Sequence, residues 1–149
     1  SLTEKNYNDQ ILRETLWNSK ALSSDVTAAM NPVYKSVHDI ENVARLSYGL
    51  AFAKYTGSRG KSMANDADAE FIQEIRQIFD KNEIKYQSGG FGKVDEGGGG
   101  TVAKFLAYYG IRTIDAGPAL LSMHSLFEIS SKADLYETYR AYKVFFELN

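Results

Sequence analysis

The stretch Leu46–Tyr55 reads LSYGLAFAKY, and residues 66–81 follow it as DADAEFIQEIRQIFDK. In the first stretch both alternating sets of residues are mostly apolar or small, which predicts a strand covered on both faces. In the second, apolar residues recur at helical spacing and acidic residues crowd the first turn, where the helix dipole favours them. A buried strand followed by an amphipathic helix is typical of α/β domains, so these stretches indicate the fold class.

Elsewhere in the chain, short apolar runs continue to alternate with helical patterns. Helices are predicted over 4–18, over 101–109 and from residue 131 onward, with short strands before Asp25 and over 84–87, 111–115 and 120–123. The predicted buried faces of the last two helices are Val102, Phe105 and Leu106, and Leu135, Tyr139, Tyr142 and Phe146. We therefore predict one α/β domain with a mixed sheet flanked by helices.

Small and polar residues mark the ends of several predicted elements. Gly110 is expected to follow the end of the helix over 101–109, and Thr56–Gly60 is predicted to be a loop. Ser131 and Asp134 have the spacing of a capping box, in which each side chain bonds to the main chain of the other residue.

The composition narrows the possible partners of the chain. It has 149 residues, a formal net charge of −2 and no cysteine, so any metal would be held by oxygen and imidazole ligands. Near-neutral charge without a Lys/Arg run argues against binding to nucleic acid or to a membrane surface. No apolar run is long enough to span a membrane, and we expect a cytoplasmic location.

Asp25 is a candidate metal ligand because of its place after a predicted strand. It stands in the frame Ser23-Ser24-Asp25-Val26, and ligands collect at the carboxyl ends of strands in α/β folds. The alternative is that Asp25 caps the following turn or a short helix over Thr27–Met30.

His124 is the second candidate metal ligand, since imidazole is a common zinc ligand and this residue follows an apolar run. The alternative is a partly buried histidine bonded to a main-chain carbonyl. Glu128 would be its partner four residues on if this segment were helical. The other histidine, His38, lies in a polar stretch and is predicted to be at the surface.

Two glycine-rich loops are candidates for ligand binding. Gly97–Gly100 precedes the helix predicted from Thr101, and its free N–H groups would hold an anion unless the run is only a tight turn. Around the second loop, Lys54, Arg59 and Lys61 would either receive an acidic substrate side chain or form a solvated basic loop.

Six separated motifs, in this order, resemble the zinc aminopeptidases of the aspartyl aminopeptidase and aminopeptidase I type. The motifs are Leu22–Val26 with Asn31-Pro32, Lys54–Lys61, Ala64–Ala67, Asp95–Thr101, Gly110–Thr113, and Asp115–Pro118 with Ser122–Ser125. Such enzymes have a mixed sheet between helices and use two zinc ions to activate a water that attacks the first peptide bond. The resemblance identifies residues 1–149 as the C-terminal segment of such a catalytic domain.

The resemblance also implies roles for particular residues. It assigns Asp25 to one zinc ion and His124 to the other, and it places Gly99, Gly100, Thr101 and Lys61 at the substrate. Cobalt or manganese would accept the same ligands. The implied partners are a peptide substrate and, in the full-length protein, further copies of the chain.

Part of the family's metal site is missing from these residues. No His-x-Asp pair and no Glu-Glu pair occurs in the sequence, so by the resemblance the remaining ligands and the general base lie upstream, with an inserted dimerisation domain. The chain alone is therefore expected to be inactive. An unpaired sheet edge or an exposed apolar patch is expected where the missing part would dock.

Two other functions remain open at this point. A stand-alone, non-catalytic binding or assembly module with the same fold would show a closed, polar surface. A nucleotide-binding domain would use the glycine run, although Asp95 and Glu96 beside it would repel a phosphate.

Overall fold

The structure, a computed structural model, describes residues 8–58, 62–90, 92–93 and 98–147. The helices are Asp9–Trp17 (α1), Ala69–Lys81 (α2), Ala103–Tyr108 (α3) and Lys132–Phe146 (α4), with a 3-10 turn at Lys35–Val37. The strands are Lys20–Ser23 (β1), Thr27–Ala28 (β2), Leu50–Ala53 (β3), Tyr55–Ser58 (β4), Ser62–Asp66 (β5), Tyr86–Ser88 (β6), Gly98–Gly99 (β7), Arg112–Gly117 (β8), Ala119–Leu121 (β9) and Ile129–Ser130 (β10).

The central sheet has four strands in the order β1-β8-β3-β6. Strand β8 runs parallel to β1 and antiparallel to β3, and β3 runs parallel to β6. Two smaller sheets, β10-β9-β2 and β5-β4-β7, accompany it. The predicted α/β class with a mixed sheet and helices is confirmed.

The main core lies between the central sheet and helices α2 and α4. Its buried residues are Leu50, Phe52, Ala67, Phe71, Ile75, Phe79, Ile84, Ile114, Ala116 and Ala141. Because side chains alternate along a strand, the residues between these in β3 and β8 face the other way. On that side Ala51 packs in a small alanine cluster, while β8 contributes the buried polar residues Thr113 and Asp115.

Local polar groups begin and end the helices. The Asp68 carboxylate accepts from the main-chain N–H of Phe71 at 2.8 Å and so begins α2. Its hydrogen bonds with the Arg112 guanidinium lower the pKa of Asp68 to about 2. Gly110 has φ +83 directly after the last turn of α3, as expected for that position.

Helix α1 begins at Asp9, where the Asn8 side chain caps it, and the predicted start near residue 4 lies outside the described residues. Three local predictions are wrong. Thr27–Ala28 is a strand and not a helix, since it pairs with β9. Of the predicted loop Thr56–Gly60, the first three residues belong to strand β4, which pairs with β5. The last two lie outside the described residues. No side-chain bond of Ser131 caps α4; Asp134 instead accepts main-chain N–H groups before β3.

The predicted buried faces of α3 and α4 are also largely wrong. Val102, Phe105, Leu135, Tyr139 and Phe146 are all exposed. Helix α3 buries Ala103, and α4 buries Asp134, Thr138 and Ala141. Small residues permit close packing on the sheet; Tyr142, Val144 and Phe145 of α4 are half-buried against the core, and most other large apolar residues of the two helices are more exposed. No helix in the described part of the chain is long and apolar enough to cross a membrane.

Candidate metal and substrate site

Asp25 lies at the carboxyl end of β1, where the chain turns towards β2, and its side chain is half-buried. Oxygen Oδ1 accepts from the main-chain N–H of Val26 at 2.8 Å, and the Asp25 N–H donates to the Ser23 carbonyl at 2.8 Å. Oδ2 has no hydrogen bond within the described ranges. The residue therefore has one oxygen engaged in the turn and a second available to a ligand.

Gly117 of β8 sets the position of the Asp25 main chain. A Cβ atom at position 117 would lie 2.1 Å from the Asp25 carbonyl oxygen. Only a residue without a side chain permits this approach, so β8 and the Asp25 turn are locked together.

Asp115 is a buried carboxyl group beside this turn. It is opposite Ser23 in the β1–β8 register and only 3% exposed. The Thr101 hydroxyl donates to its Oδ2 at 2.8 Å, whereas Oδ1 has no hydrogen-bond partner among the described residues. Burial raises the pKa of Asp115, and the negative charge of Asp25 raises it further.

Sequence analysis did not identify Asp115 as a site residue. A sequence signal for Asp115 was nevertheless present. A carboxylate at the end of a predicted buried strand is costly to bury, so its presence there indicates a functional role or a specific polar contact. What the sequence does not reveal is that Thr101, 14 residues earlier in the chain, would supply that contact.

The described glycines of the run, Gly98, Gly99 and Gly100, pack against the β4–β5 hairpin. Gly99 belongs to β7 and pairs with Gly57, while a Cβ at Gly100 would lie 2.2 Å from the Cβ of Met63. Thr101 is buried and hydrogen-bonds to Asp115. The role of Gly99, Gly100 and Thr101 at a substrate stays a prediction, and Lys61 and Arg59 lie outside the described residues.

Tyr142 of α4 supports the Asp25 turn from the core side. Its hydroxyl hydrogen-bonds to the Ser24 hydroxyl at 2.9 Å and donates to the Ala116 carbonyl. Burial raises the pKa of Tyr142, with a further contribution from the charge of Asp25. Helix α4 thus contacts the neighbours of both Asp25 and Asp115.

His124 lies in the loop of the β9–β10 hairpin and has an exposed side chain. Its φ is +66 and that of Ser122 is +57, which are left-handed conformations that side chains rarely adopt. The Glu128 carboxylate accepts from the His124 main-chain N–H at 2.5 Å, and the Ser125 N–H donates to the Ser122 carbonyl at 2.9 Å. These bonds hold the strained loop, so Glu128 supports the His124 main chain without the predicted helix.

Asp25 and His124 flank the same short pair of strands. Thr27 of β2 lies opposite Ala119 of the parallel strand β9, so Asp25 precedes one end of the pair and His124 follows the other end. A carboxylate and an imidazole are the donors that zinc prefers, so their chemistry fits the implied metal. Within the described ranges no three His, Asp or Glu residues are grouped so that they could hold a metal ion. Asp25 and His124 are therefore suitable zinc ligands, but the described residues do not provide a complete metal site.

Two other polar residues that the sequence drew attention to have structural roles. His38 is buried, which corrects the prediction of a surface residue: its Nε2 accepts from the Asn31 N–H at 3.1 Å. The contact bends the loop after β2 back on itself, a tertiary arrangement that a polar local sequence does not show. Lys54 forms an ion pair with Asp66 across the β4–β5 hairpin.

Comparison with known proteins identifies the family. The sequence model of the aminopeptidase I zinc metalloproteases (M18) matches residues 1–146. The chain belongs to the M18 family. It is 58% identical over 146 residues to a probable M18 family aminopeptidase 1 of Borreliella afzelii, covering 98% of this chain and 32% of that relative. This chain therefore spans about a third of the length of the curated M18 relatives that it matches.

Solved structures agree with this assignment. The crystal structure of an M18 aminopeptidase from Thermotoga maritima matches with a TM-score of 0.87 and 54% identity. The match covers 91% of this chain and 30% of the Thermotoga maritima chain. The fold is also shared with the yeast mApe1 dodecamer, with a TM-score of 0.74 and 24% identity over 97% of this chain and 30% of that one.

The buried carboxyl of Asp115 makes a testable prediction for this M18 chain. Because its pKa is raised in the native state, the native chain keeps a proton that the unfolded chain loses above about pH 4, so ionisation of Asp115 lowers stability as the pH rises. We expect the Asp115→Asn variant to gain stability relative to the wild-type chain between about pH 4 and about pH 7. Urea unfolding at both pH values measures this, and exposed Asp9→Asn is the control. A stability difference that does not change with pH would contradict the prediction.

Proposed function

We propose that this chain is the C-terminal segment of the catalytic domain of an M18 metallo-aminopeptidase and supplies Asp25 and His124 to a site with two zinc ions. The observation that carries the proposal is the position of Asp25: it lies in the turn directly after β1, its main chain packs against Gly117 of β8, and one of its carboxylate oxygens is available. Carboxyl ends of strands are where ligands bind in α/β folds.

The described residues would contribute ligands and their support. Asp25 would bind through Oδ2 while Oδ1 stays bonded to the Val26 N–H. His124 would bind through its exposed imidazole, oriented by the Glu128 bond to its main chain. Zinc bound there would polarise the scissile carbonyl and lower the pKa of a bound water. The general base would come from the part of the relatives that lies outside the matched region.

Several finer features belong to the same proposal. The substrate would be a peptide with a free N-terminus, and Gly99, Gly100, Thr101 and Lys61 would line its pocket. The dodecameric assembly of yeast mApe1 supports a homo-oligomer for the full-length protein. Exposed apolar side chains such as Leu126 (96% exposed) and Phe127 (84% exposed) favour a segment of a larger domain over a closed, stand-alone module. The cytoplasmic location stays a prediction from the sequence.

The test is to join this chain to the unmatched part of the Borreliella afzelii relative and to measure bound zinc and hydrolysis of aminoacyl-nitroanilides. We expect Asp25→Ala and His124→Ala each to lose zinc and to lower kcat/KM by roughly a thousandfold, since a metal ligand contributes several kcal/mol to transition-state stabilisation. The isolated chain is expected to show no zinc-dependent hydrolysis.

Asp9→Ala, in the exposed first turn of α1, is the matched control and should keep both zinc and activity. Normal zinc content and activity in the Asp25 and His124 variants would refute the ligand assignment. Zinc-dependent hydrolysis by the isolated chain would show instead that its site is complete.

A further inference from the structure

Strand β8 has two buried polar residues, Thr113 and Asp115, on the side of the central sheet that faces away from helices α2 and α4. The side-chain amide of Asn65 in β5 donates to the Thr113 carbonyl at 3.3 Å. The Thr101 hydroxyl, shortly before α3, donates to Oδ2 of Asp115 at 2.8 Å. Hydrogen bonds to these two residues of β8 therefore join the small sheet β5-β4-β7 and the start of α3 to the central sheet.

Thr101 is the side-chain anchor of the glycine run. Residues 98–100 are glycines, so no side chain of their own can hold them in place. Thr101 follows them directly and is 5% exposed, whereas the next side chain, that of Val102, is 60% exposed. The bond from Thr101 to Asp115 is directional and buried, so water does not compete for it. The position of the run relative to β8 therefore depends on this contact.

The same carboxyl group lies against the end of strand β1. Ser23, the last residue of β1, is opposite Asp115 in the parallel register, and Asp25 follows Ser23 two residues later. Burial raises the pKa of the Asp115 carboxyl group, and nearby hydroxyls, that of Ser23 first and then those of Thr101 and Thr56, oppose the rise. The Ser23 and Thr56 hydroxyls have no hydrogen bond among the described residues. The end of β1, strand β4 and the glycine run thus meet at one buried carboxyl group.

We propose that Asp115 is a positioning residue that fixes the zinc-ligand turn after β1 relative to the glycine run. Asp115 is only 3% exposed, so it acts through its neighbours and not by contact with substrate. The inference rests on the proposed function, in which Asp25 binds zinc and residues 99–101 line the substrate pocket. Asp115 then sets the distance between the metal and the segment that holds the substrate, on which productive binding of a peptide depends.

Two substitutions in the joined protein described above test the proposal. Thr101→Val replaces only the hydroxyl by a methyl group, and Asp115→Leu replaces the carboxyl group by an apolar group of similar volume. We expect each to raise KM for an aminoacyl-nitroanilide roughly tenfold, to lower kcat by no more than about threefold and to keep bound zinc, because the substrate segment shifts while the metal stays. A merely structural role would lower stability in urea unfolding and leave KM unchanged.

Three variants serve as controls. Thr101→Ser keeps the hydroxyl and Asp115→Asn keeps an oxygen that accepts from it, so both should stay within about threefold of the wild-type KM. Thr113→Val removes another buried hydroxyl of β8, which donates to the Ile111 carbonyl at 3.0 Å, and should leave KM unchanged. If Thr113→Val raises KM as much as Thr101→Val does, the specific role of Asp115 is wrong.

A double-mutant cycle tests whether Thr101 and Asp115 act as one unit. The variant carrying both Thr101→Val and Asp115→Leu should raise KM no more than about twofold beyond either single variant, since each single change already removes the same bond. Effects on KM that simply multiply would overturn the proposal.

Amide hydrogen exchange of the joined protein gives a readout that does not depend on catalysis. Thr101→Val and Asp115→Leu should each accelerate exchange roughly tenfold in residues 98–103 and roughly threefold in residues 24–28, which include the zinc-ligand turn. Thr113→Val should change neither segment. Unchanged exchange in both segments of the Thr101 and Asp115 variants would show that the contact does not hold them together, and the proposal would be wrong.

The outcomes separate the positioning role from the proposed function. If Asp25→Ala loses zinc while Thr101→Val and Asp115→Leu change neither KM nor exchange, the proposed function stands and the positioning role fails. If exchange changes as expected but Asp25→Ala keeps zinc and activity, the link between the two segments stands and the ligand assignment fails. Loss of zinc from Thr101→Val would mean that the contact supports the ligand and not the substrate segment, and this too would overturn the proposal.

Discussion

Replacing Asp134 by alanine should lower the free energy of unfolding of this chain by about 3 kcal/mol, since it leaves two main-chain N–H groups without their charged acceptor. Asp134 lies in the first turn of α4 and is fully buried. Its Oδ1 accepts from the Gly49 N–H and its Oδ2 from the Ser47 N–H, each at 2.7 Å. Both partners have left-handed backbone conformations, with φ values of +93 and +68. The carboxylate thus holds a strained turn directly before β3.

Two variants make the Asp134 experiment specific. Asp134→Asn keeps one acceptor oxygen and places an NH₂ group against the other N–H, so its cost should be smaller than that of the alanine variant. Ser131→Ala should cost much less, because the Ser131 side chain does not cap α4 and its one hydrogen bond, to the Ser47 hydroxyl at 3.0 Å, is exposed to water. Urea unfolding followed by circular dichroism measures all three variants. If Ser131→Ala proves as destabilising as Asp134→Ala, the proposed role of the buried carboxylate is wrong.

Replacing Gly117 by alanine should be nearly as damaging and should also displace the Asp25 turn. The new Cβ would lie 2.1 Å from the Asp25 carbonyl oxygen and 2.9 Å from the Asp25 carbonyl carbon. Both are main-chain atoms, so relief requires β1 and β8 to separate locally. We expect a loss of about 3 kcal/mol in the free energy of unfolding, at the upper end of the range for overpacking.

The displacement can be observed separately from the loss of stability. The Val26 N–H donates to the Asp25 carboxylate, so its amide resonance should shift in the Gly117→Ala variant. Gly90→Ala is the control, because its Cβ would have only an ordinary contact, 3.7 Å from the Asn42 carbonyl oxygen. It should change stability by less than about 1 kcal/mol. An unshifted Val26 resonance with unchanged stability would contradict the close packing of β8 on the Asp25 turn.

The elements that periodicity predicts well are those buried by large apolar side chains. Strand β3 and helix α2 lie where LSYGLAFAKY and the stripe containing Phe71, Ile75 and Phe79 indicate. Both depend on a pattern that is local in the chain, so the sequence suffices to predict them. The buried face of α4 was mispredicted because the residues that it packs on the sheet are Asp134, Thr138 and Ala141. Their burial depends on how closely α4 approaches β3 and β8.

The candidate site likewise combines features that a local sequence pattern predicts with features that only tertiary contacts decide. The placement of Asp25 after a strand was predicted correctly, because a short apolar run followed by an aspartate is a local signal. The bond from Thr101 to Asp115 joins residues of two separate motifs, and neither motif alone indicates it. The bond from the His124 main-chain N–H to the Glu128 carboxylate requires a left-handed loop that the residue types do not specify.

By itself, the sequence determined the α/β class, the M18 family and the chemistry of the candidate ligands, because residue types, spacing and motif order carry this information directly. Tertiary structure alone decided which side of each helix is buried, that Asp134 bonds to the turn before β3, and that β1 is, among the described residues, an edge strand of the central sheet. These features depend on contacts between segments far apart in the chain. Such contacts are set by close packing and by the need to satisfy buried polar groups, which no local pattern encodes.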